Sequence, residues 1–357
     1  MANLLFTILG VAVAFLGLSL LVLVHELGHF IAAKRAGVGV KEFSLGFGKK
    51  LWGFKKGETE YKVCAIPLGG YVNMMGLESD KSDDPSKNYN NKSKLTRLQI
   101  LAAGVVFNFI FAIMMLTLVN MHGVKQYKLN LNTIPDTPAA SVLQTGDEIR
   151  SVNGVEVKNW EEVTAALRKS EGQPIRLTVI RNGEEKRVSI KPVKVEGEDE
   201  FGAKVERWVI GIAPTGEVFL APGMPLPEAF LESAKTCGNA YVLTYVFIGK
   251  IVTKKAKAEK GLGGPVLIVS LMSGAAKDGF FSFLTLLAVV SLCLGIMNSL
   301  PIPVLDGGHI MFLGLEAVRG KPLKKETMNV IQSLFFWLLI LLMLFATYLD
   351  IGRLLGR

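Results

Sequence analysis

Four long apolar runs constrain this chain more than anything else in it. They cover residues 4–33, about 98–121, about 280–302 and 330–349. Each is near the ~20 residues that a helix needs to cross the hydrocarbon core of a bilayer. Lipid offers no partner to a backbone N–H or C=O, so such a run must close its hydrogen bonds internally, as a helix does. The hydrophobic share of 50% agrees with that reading. The expected fold is therefore a polytopic α-helical membrane protein with four transmembrane helices. The first run lacks the basic start, the short apolar stretch and the small-residue end of a cleaved signal peptide.

Net charge is +9, and its placement matters more than its size. Lys34, Arg35, Lys41, Lys49, Lys50, Lys55, Lys56, Lys62, Lys92, Lys94 and Arg97 lie between the first two runs. Arg319, Lys321, Lys324 and Lys325 lie between the last two. Positive charge beside short loops stays in the cytoplasm, so both loops are expected there, with residues 123–279 and both termini outside. No basic stripe marks a soluble domain, which argues against a nucleic-acid partner; the partner this distribution implies is the lipid bilayer. Cys64, Cys237 and Cys293 are odd in number and irregular in spacing, which fits packing rather than a disulfide framework or a thiolate metal site.

Between the second and third runs lies a soluble segment. Residues 148–152 and 175–181 read as strands, and Asn153-Gly154 and Asn182-Gly183 as hairpin turns. A polar-faced helix is expected near residues 159–168, and one further strand near Trp208–Ile212. Pro222, Pro225 and Pro227 mark a boundary. The apolar but interrupted stretch 228–252 reads as an amphipathic helix lying at the membrane surface. Four regions follow: 1–122, 123–221, 222–279 and 280–357.

His25-Glu26-Leu27-Gly28-His29 places two imidazoles four residues apart on one helix face, with a carboxylate beside them. This is the zinc-binding pattern in which the Glu serves as general base. Ionisable groups inside an apolar helix are expensive, so function is the default explanation for them. If Lys34 marks the interface, a rise of ~1.5 Å per residue places His29 ~7 Å and His25 ~13 Å inside. A catalytic zinc takes a third protein ligand and keeps one position for water. His122 is at the wrong end of the second run. Asp306 and His309 both stand at suitable depth, beyond Pro301 and Pro303, which break the helix, and beside Gly307 and Gly308, which free the backbone. Chemistry favours Asp306, because two His and a carboxylate form a known catalytic set, but leaves His309 open.

With His25–His29, the segment Pro67-Leu68-Gly69-Gly70-Tyr71-Val72, Gly104 with Asn108, and Asn298 to Asp306-Gly307 in view, the chain resembles the bacterial RseP/RasP group of the site-2 protease family (peptidase M50) along essentially its whole length. The resemblance implies that Asp306 is the third zinc ligand. It implies that Asn298, ahead of Pro301 and Pro303, holds an extended substrate strand, and that Gly104 and Asn108 support the site. It implies that residues 43–72 form a membrane-associated β-hairpin, and that the insert, through "TPAASVLQTGDEIRSVNGVEVKNWEEV", is an α+β PDZ domain. The implied activity is that of an intramembrane zinc metalloendopeptidase. Its substrates would be single-pass membrane proteins already cut outside, such as anti-sigma factors or remnant signal peptides, in regulated intramembrane proteolysis at the bacterial inner or cell membrane, with the PDZ domain extracytoplasmic. Val105 and Ser299 depart from the family's usual Pro and Leu, and one PDZ domain stands where the best-known enterobacterial members have two. The competing expectation is a non-catalytic membrane adaptor that recruits partners through its PDZ domain.

Overall fold

The structure, a computed structural model, describes residues 2–76, 84–198, 204–253 and 263–355. Four of its helices are long and apolar enough to cross a membrane among the described residues. These are α1 (Ala2–Arg35), α2 (Lys94–His122), α6 (Phe280–Ser299) and α8 (Lys325–Leu354). Between them lie α4 (Leu226–Val252), α5 (Pro265–Asp278) and α7 (Asp306–Arg319). The chain divides into two compact units, one of residues 1–119, 225–244 and 262–357, the other of residues 120–224 and 245–261.

In the helical unit, packing relies on small residues and on polar ties. Lipid tails are as apolar as leucine, so helices in a bilayer associate through close approach and hydrogen bonds rather than through the hydrophobic effect. A Cβ on Gly28 would lie 2.4 Å from the Ala103 carbonyl oxygen, so α1 and α2 touch backbone to backbone. A Cβ on Gly10 would lie 2.3 Å from Ser273 Oγ, which brings α5 onto α1. The Ser291 hydroxyl of α6 donates to the Asn108 carbonyl of α2 at 3.0 Å. Asp350 of α8, 2% exposed, accepts from the N–H groups of Gly264 and Leu267 and so caps the start of α5. The sequence signalled no such helix within 253–279. At 14 residues it is shorter than a span, and its apolar content alone did not mark it off. The helix expected at the membrane surface, α4, packs Cys237 and Ala240 among Ala112 of α2 and Ala288, Leu292 and Ile296 of α6. Of the three cysteines, Cys64 and Cys237 are buried and Cys293 is exposed, all of them free.

α1 ends in a Schellman motif: Gly37 takes φ +66°, its N–H donates to the Lys34 carbonyl, and Val38 N–H donates to Ala33. That reversal launches the strands β1 (Val40–Lys56) and β2 (Thr59–Met74), which pair antiparallel around the turn Gly57-Glu58. The expected hairpin forms but is more folded than a simple ribbon. Residues 42–45 pair with 70–73 on one side and with 60–63 on the other. The Glu58 carboxylate accepts from Lys34 at 2.8 Å and Lys87 at 2.7 Å, pinning the turn to the end of α1. Those two ammonium groups hold its pKa below the ordinary glutamate value.

The second unit holds the insert. Strands β5 (Glu148–Val152), β6 (Val155–Glu156), β7 (Ile175–Arg181) and β8 (Glu184–Ile190) form one antiparallel sheet in the order β6-β5-β7-β8. Both Asn-Gly pairs turn with φ positive at each residue, 52° and 83° in one, 53° and 83° in the other, as a type I′ hairpin requires. Helix α3 (Trp160–Lys169) starts at Asn159, whose side chain accepts from Glu162 N–H. Its Val163 joins Ile149, Ile175, Leu177 and Val179 in the core. β3 (Lys125–Tyr127) and β4 (Leu131–Thr133) pair with β12 (Val218–Leu220) and β11 (Ile212–Pro214), so the two ends of the insert are zipped together. The single strand expected at 208–212 is instead two. β10 (Lys204–Val209) pairs with β9 (Val193–Glu198), and β11 with β4. Gly211, at φ +87° and pressed against Thr137, breaks the run. The third apolar run also ends earlier than expected, at Ser299 rather than near 302, because Pro301 supplies no N–H and disfavours helix before it.

One buried ion pair anchors the insert. Arg181 donates to both oxygens of Asp147, at 2.7 and 2.6 Å, and Asp147 is 2% exposed. Burial works against the carboxylate, but Arg181 and the Gln144 N–H outweigh it and lower the pKa. The stability this pair adds is thus fully present above the unfolded carboxylate value of about 3.9 and disappears as pH falls through the lower folded value. Amide hydrogen exchange in β5 and β7, corrected for intrinsic rates, should lose protection below about pH 4. In Asp147→Asn protection should already be weaker at pH 7 and should change less on acidification.

Candidate metal centre

His25 and His29 sit one helical turn apart near the end of α1, so both rings leave the same face. Asp306 is the first residue of α7, where a carboxylate is favoured by the helix dipole. The three side chains meet: Asp306 Oδ2 lies 3.1 Å from His25 Nε2 and 3.2 Å from His29 Nε2, and the two Nε2 atoms are 3.3 Å apart. One ligand atom from each lies within 4.8 Å of the others. Two imidazoles and a carboxylate converging on one point suit a catalytic zinc, which takes three protein ligands and leaves a position open.

The surroundings fit that ion. His29 Nδ1–H donates to the Ile100 carbonyl at 2.8 Å, which leaves the Nε2 lone pair facing the centre. The Asn108 amide lies 3.2 Å from His25 Nδ1. The atom at that distance is the amide nitrogen, and the amide oxygen is buried without a partner; with Nε2 turned to a cation and the proton on Nδ1, a half-turn of the amide brings that oxygen round to accept it. Gly104 supplies the space for both rings, because a Cβ there would lie 2.3 Å from His29 Nε2 and 2.7 Å from His25 Cε1.

His309, the alternative third ligand, is not part of this cluster. Its Nε2 stands 3.5 Å from the Gln332 amide nitrogen of α8. His122 closes α2, about 21 Å along the helix from Asn108 at ~1.5 Å per residue. Gly307 and Gly308 do a different job from the one their flexibility suggested. Neither has a positive φ among the described residues. A Cβ on Gly307 would lie 2.3 Å from the Leu300 carbonyl oxygen, and one on Gly308 2.1 Å from that of Ile302. Their smallness lets α7 start hard against the 299–303 segment, which fixes where Asp306 points. Asn298 is half-buried in the last turn of α6, Pro301 is exposed and Pro303 is buried in the same connection. Glu26 lies under β2, since a Cβ on Gly70 would come 3.2 Å from Glu26 Cγ.

Two contributors were invisible to residue-type reasoning. The Ile100 carbonyl is backbone, and nothing in an isoleucine marks it as a histidine acceptor. Gly28 lies inside the histidine motif, where only the neighbouring residues draw notice, yet it sets the contact of α1 with α2.

A profile described as "Peptidase family M50" matches residues 13–342. A protein of Clostridium acetobutylicum, named as a zinc metalloprotease, is 34% identical over 96% of this chain and 97% of its own. One of Agrobacterium fabrum, similarly named, is 35% identical over 95% and 94%. Zinc metalloprotease RasP of Oceanobacillus iheyensis is 30% identical over 94% and 96%. Among solved structures, the PDZ domain of an SdrC-like protein from Listeria innocua is 22% identical, with a TM-score of 0.21 over 26% of this chain and 97% of that one.

Gly104→Ala should displace both imidazoles. Metal analysis after dialysis against a graded chelator should show zinc affinity weakened by about 100-fold, with Asn108→Ala weakening it by about 10-fold. Full zinc retention in the first variant would contradict the geometry described.

Proposed function

This chain belongs to peptidase family M50, a zinc metalloprotease family, and we propose that it hydrolyses single-pass membrane proteins within or beside the bilayer, with zinc held by His25, His29 and Asp306 and Glu26 as general base. The observation that carries the reading is the meeting of Asp306 with both histidines, the nearer of them 277 residues away in the chain, beside a glutamate on the histidines' own helix. The bound metal would lower the pKa of a water and polarise the scissile carbonyl. Glu26 takes the proton of that water and delivers it to the leaving nitrogen. Asp306 brings one negative charge, so the centre stays electrophilic, while the Ile100 carbonyl and Asn108 hold the imidazoles in the tautomer that leaves Nε2 free.

A substrate helix hides its carbonyls in its own hydrogen bonds and must unwind before it can react. The strand through Gly70, which passes over Glu26, offers backbone partners to an extended peptide. Asn298, with the chain turned by Pro301 and Pro303, holds that peptide from the other side. The inserted unit, PDZ-like in sequence, admits substrates trimmed outside the membrane and turns away those that are not. Anti-sigma factors and remnant signal peptides are the expected classes, in regulated intramembrane proteolysis at a bacterial cell membrane.

Glu26→Gln in proteoliposomes with a single-pass substrate should keep its zinc and lose cleavage by about 10²–10⁴-fold. Asp306→Asn should lose both. Undiminished cleavage by the Gln variant would sink the general-base assignment.

A further inference from the structure

The facing ends of α1 and α2 border a cleft of about 380 Å³ that the proposed chemistry does not use. Its lining changes character with depth. Arg35, Lys92, Thr96 and Gln99 stand at the helix ends, and Ile31 and Phe107 further along. From Arg35 to Gly28 is ~10 Å along α1, and from Thr96 to Phe107 ~16 Å along α2. Gly28, where the backbones of the two helices touch, is the lining residue of α1 furthest from Arg35.

The charge at the mouth is only partly balanced, since the Asp84 carboxylate acts on Lys92 through space. Nearby Lys34 and Lys87 are paired with Glu58, and Arg97 with Glu316. Neither Arg35 nor Lys92 makes a direct ion pair among the described residues, and Asp84 reaches Lys92 only through space. Lys92 donates once, to the Ser86 carbonyl at 3.0 Å, and an ammonium has two further N–H groups to give. Among the described residues, no acidic side chain lines the cleft.

We propose that this cleft binds one anionic phospholipid, with its phosphate between Arg35 and Lys92 and an acyl chain against Ile31 and Phe107. Basic pockets between membrane helices, at headgroup depth, are suited to such lipids. A zwitterionic headgroup brings an ammonium that finds no carboxylate among the residues lining the cleft. Free phosphate would satisfy the mouth but leave the apolar wall facing water. Both helices bordering the cleft are candidate spans, and their ends place its mouth at the membrane surface.

The test uses the full chain in nanodiscs, with native mass spectrometry counting retained lipids. Wild type should keep one phosphatidylglycerol about 10-fold more tightly than phosphatidylcholine. Arg35→Gln with Lys92→Gln should lose that preference, whereas Arg35→Lys with Lys92→Arg should retain it. The exchanged pair keeps the charge, so it separates a lost headgroup contact from a disturbed helix end. Equal preference in wild type and the Gln pair would overturn the proposal. Displacement of the lipid by millimolar inorganic phosphate would overturn it too, as the site would then be one for a bare anion.

Discussion

Asp306 lies within hydrogen-bond distance of two imidazoles inside a helical bundle, and most of the helical unit is arranged around that contact. A lone carboxylate in such surroundings is costly, and so are two imidazoles facing lipid. Brought together they form one donor set, with a divalent cation as the natural complement to the negative charge. The requirement is severe in space, because the side chains come from helices that are remote in sequence. Each must be aimed by its own backbone before the others can meet it.

Close approach supplies the aim. Gly28 lets α1 and α2 touch, Gly104 makes room for the rings, and Gly307 and Gly308 seat the start of α7 against the preceding turn. In lipid, where apolar surface gains nothing by leaving its solvent, such contacts replace the hydrophobic effect as the organising force. Polar ties then fix the register: Ser291 to the Asn108 carbonyl, Arg97 to both oxygens of Glu316, and Asp350 at the start of α5. Arg97 and Glu316 join the start of α2 to the last turns of α7, so the helix carrying Asp306 is held at both ends.

The strand region and the insert obey the more familiar rules of water-soluble structure. Glycine at positive φ turns the chain after α1 and within both Asn-Gly hairpins of the insert, and the insert buries a core of branched aliphatic residues behind α3. Its sheet was legible because alternation and turn chemistry are local signals. The break at Gly211 was not, since the crowding of Thr137 against it joins residues 74 positions apart.

The four long apolar helices, the histidine pair and its glutamate were determined by the sequence alone, because hydropathy and a four-residue helical spacing are short-range properties. The choice of Asp306 over His309 was not settled by residue chemistry. Both lie in one turn of α7, and only the seating of that helix against residues 299–303 points Asp306 to the histidines and His309 towards Gln332. The same holds for the Ile100 carbonyl, for the tie of Ser291 to α2 and for the cleft beside Arg35, all of which depend on how α1, α2 and α6 pack. Composition and periodicity fix what a segment is. Which atoms of distant segments touch follows from backbone approach, and that exists only once the helices are packed.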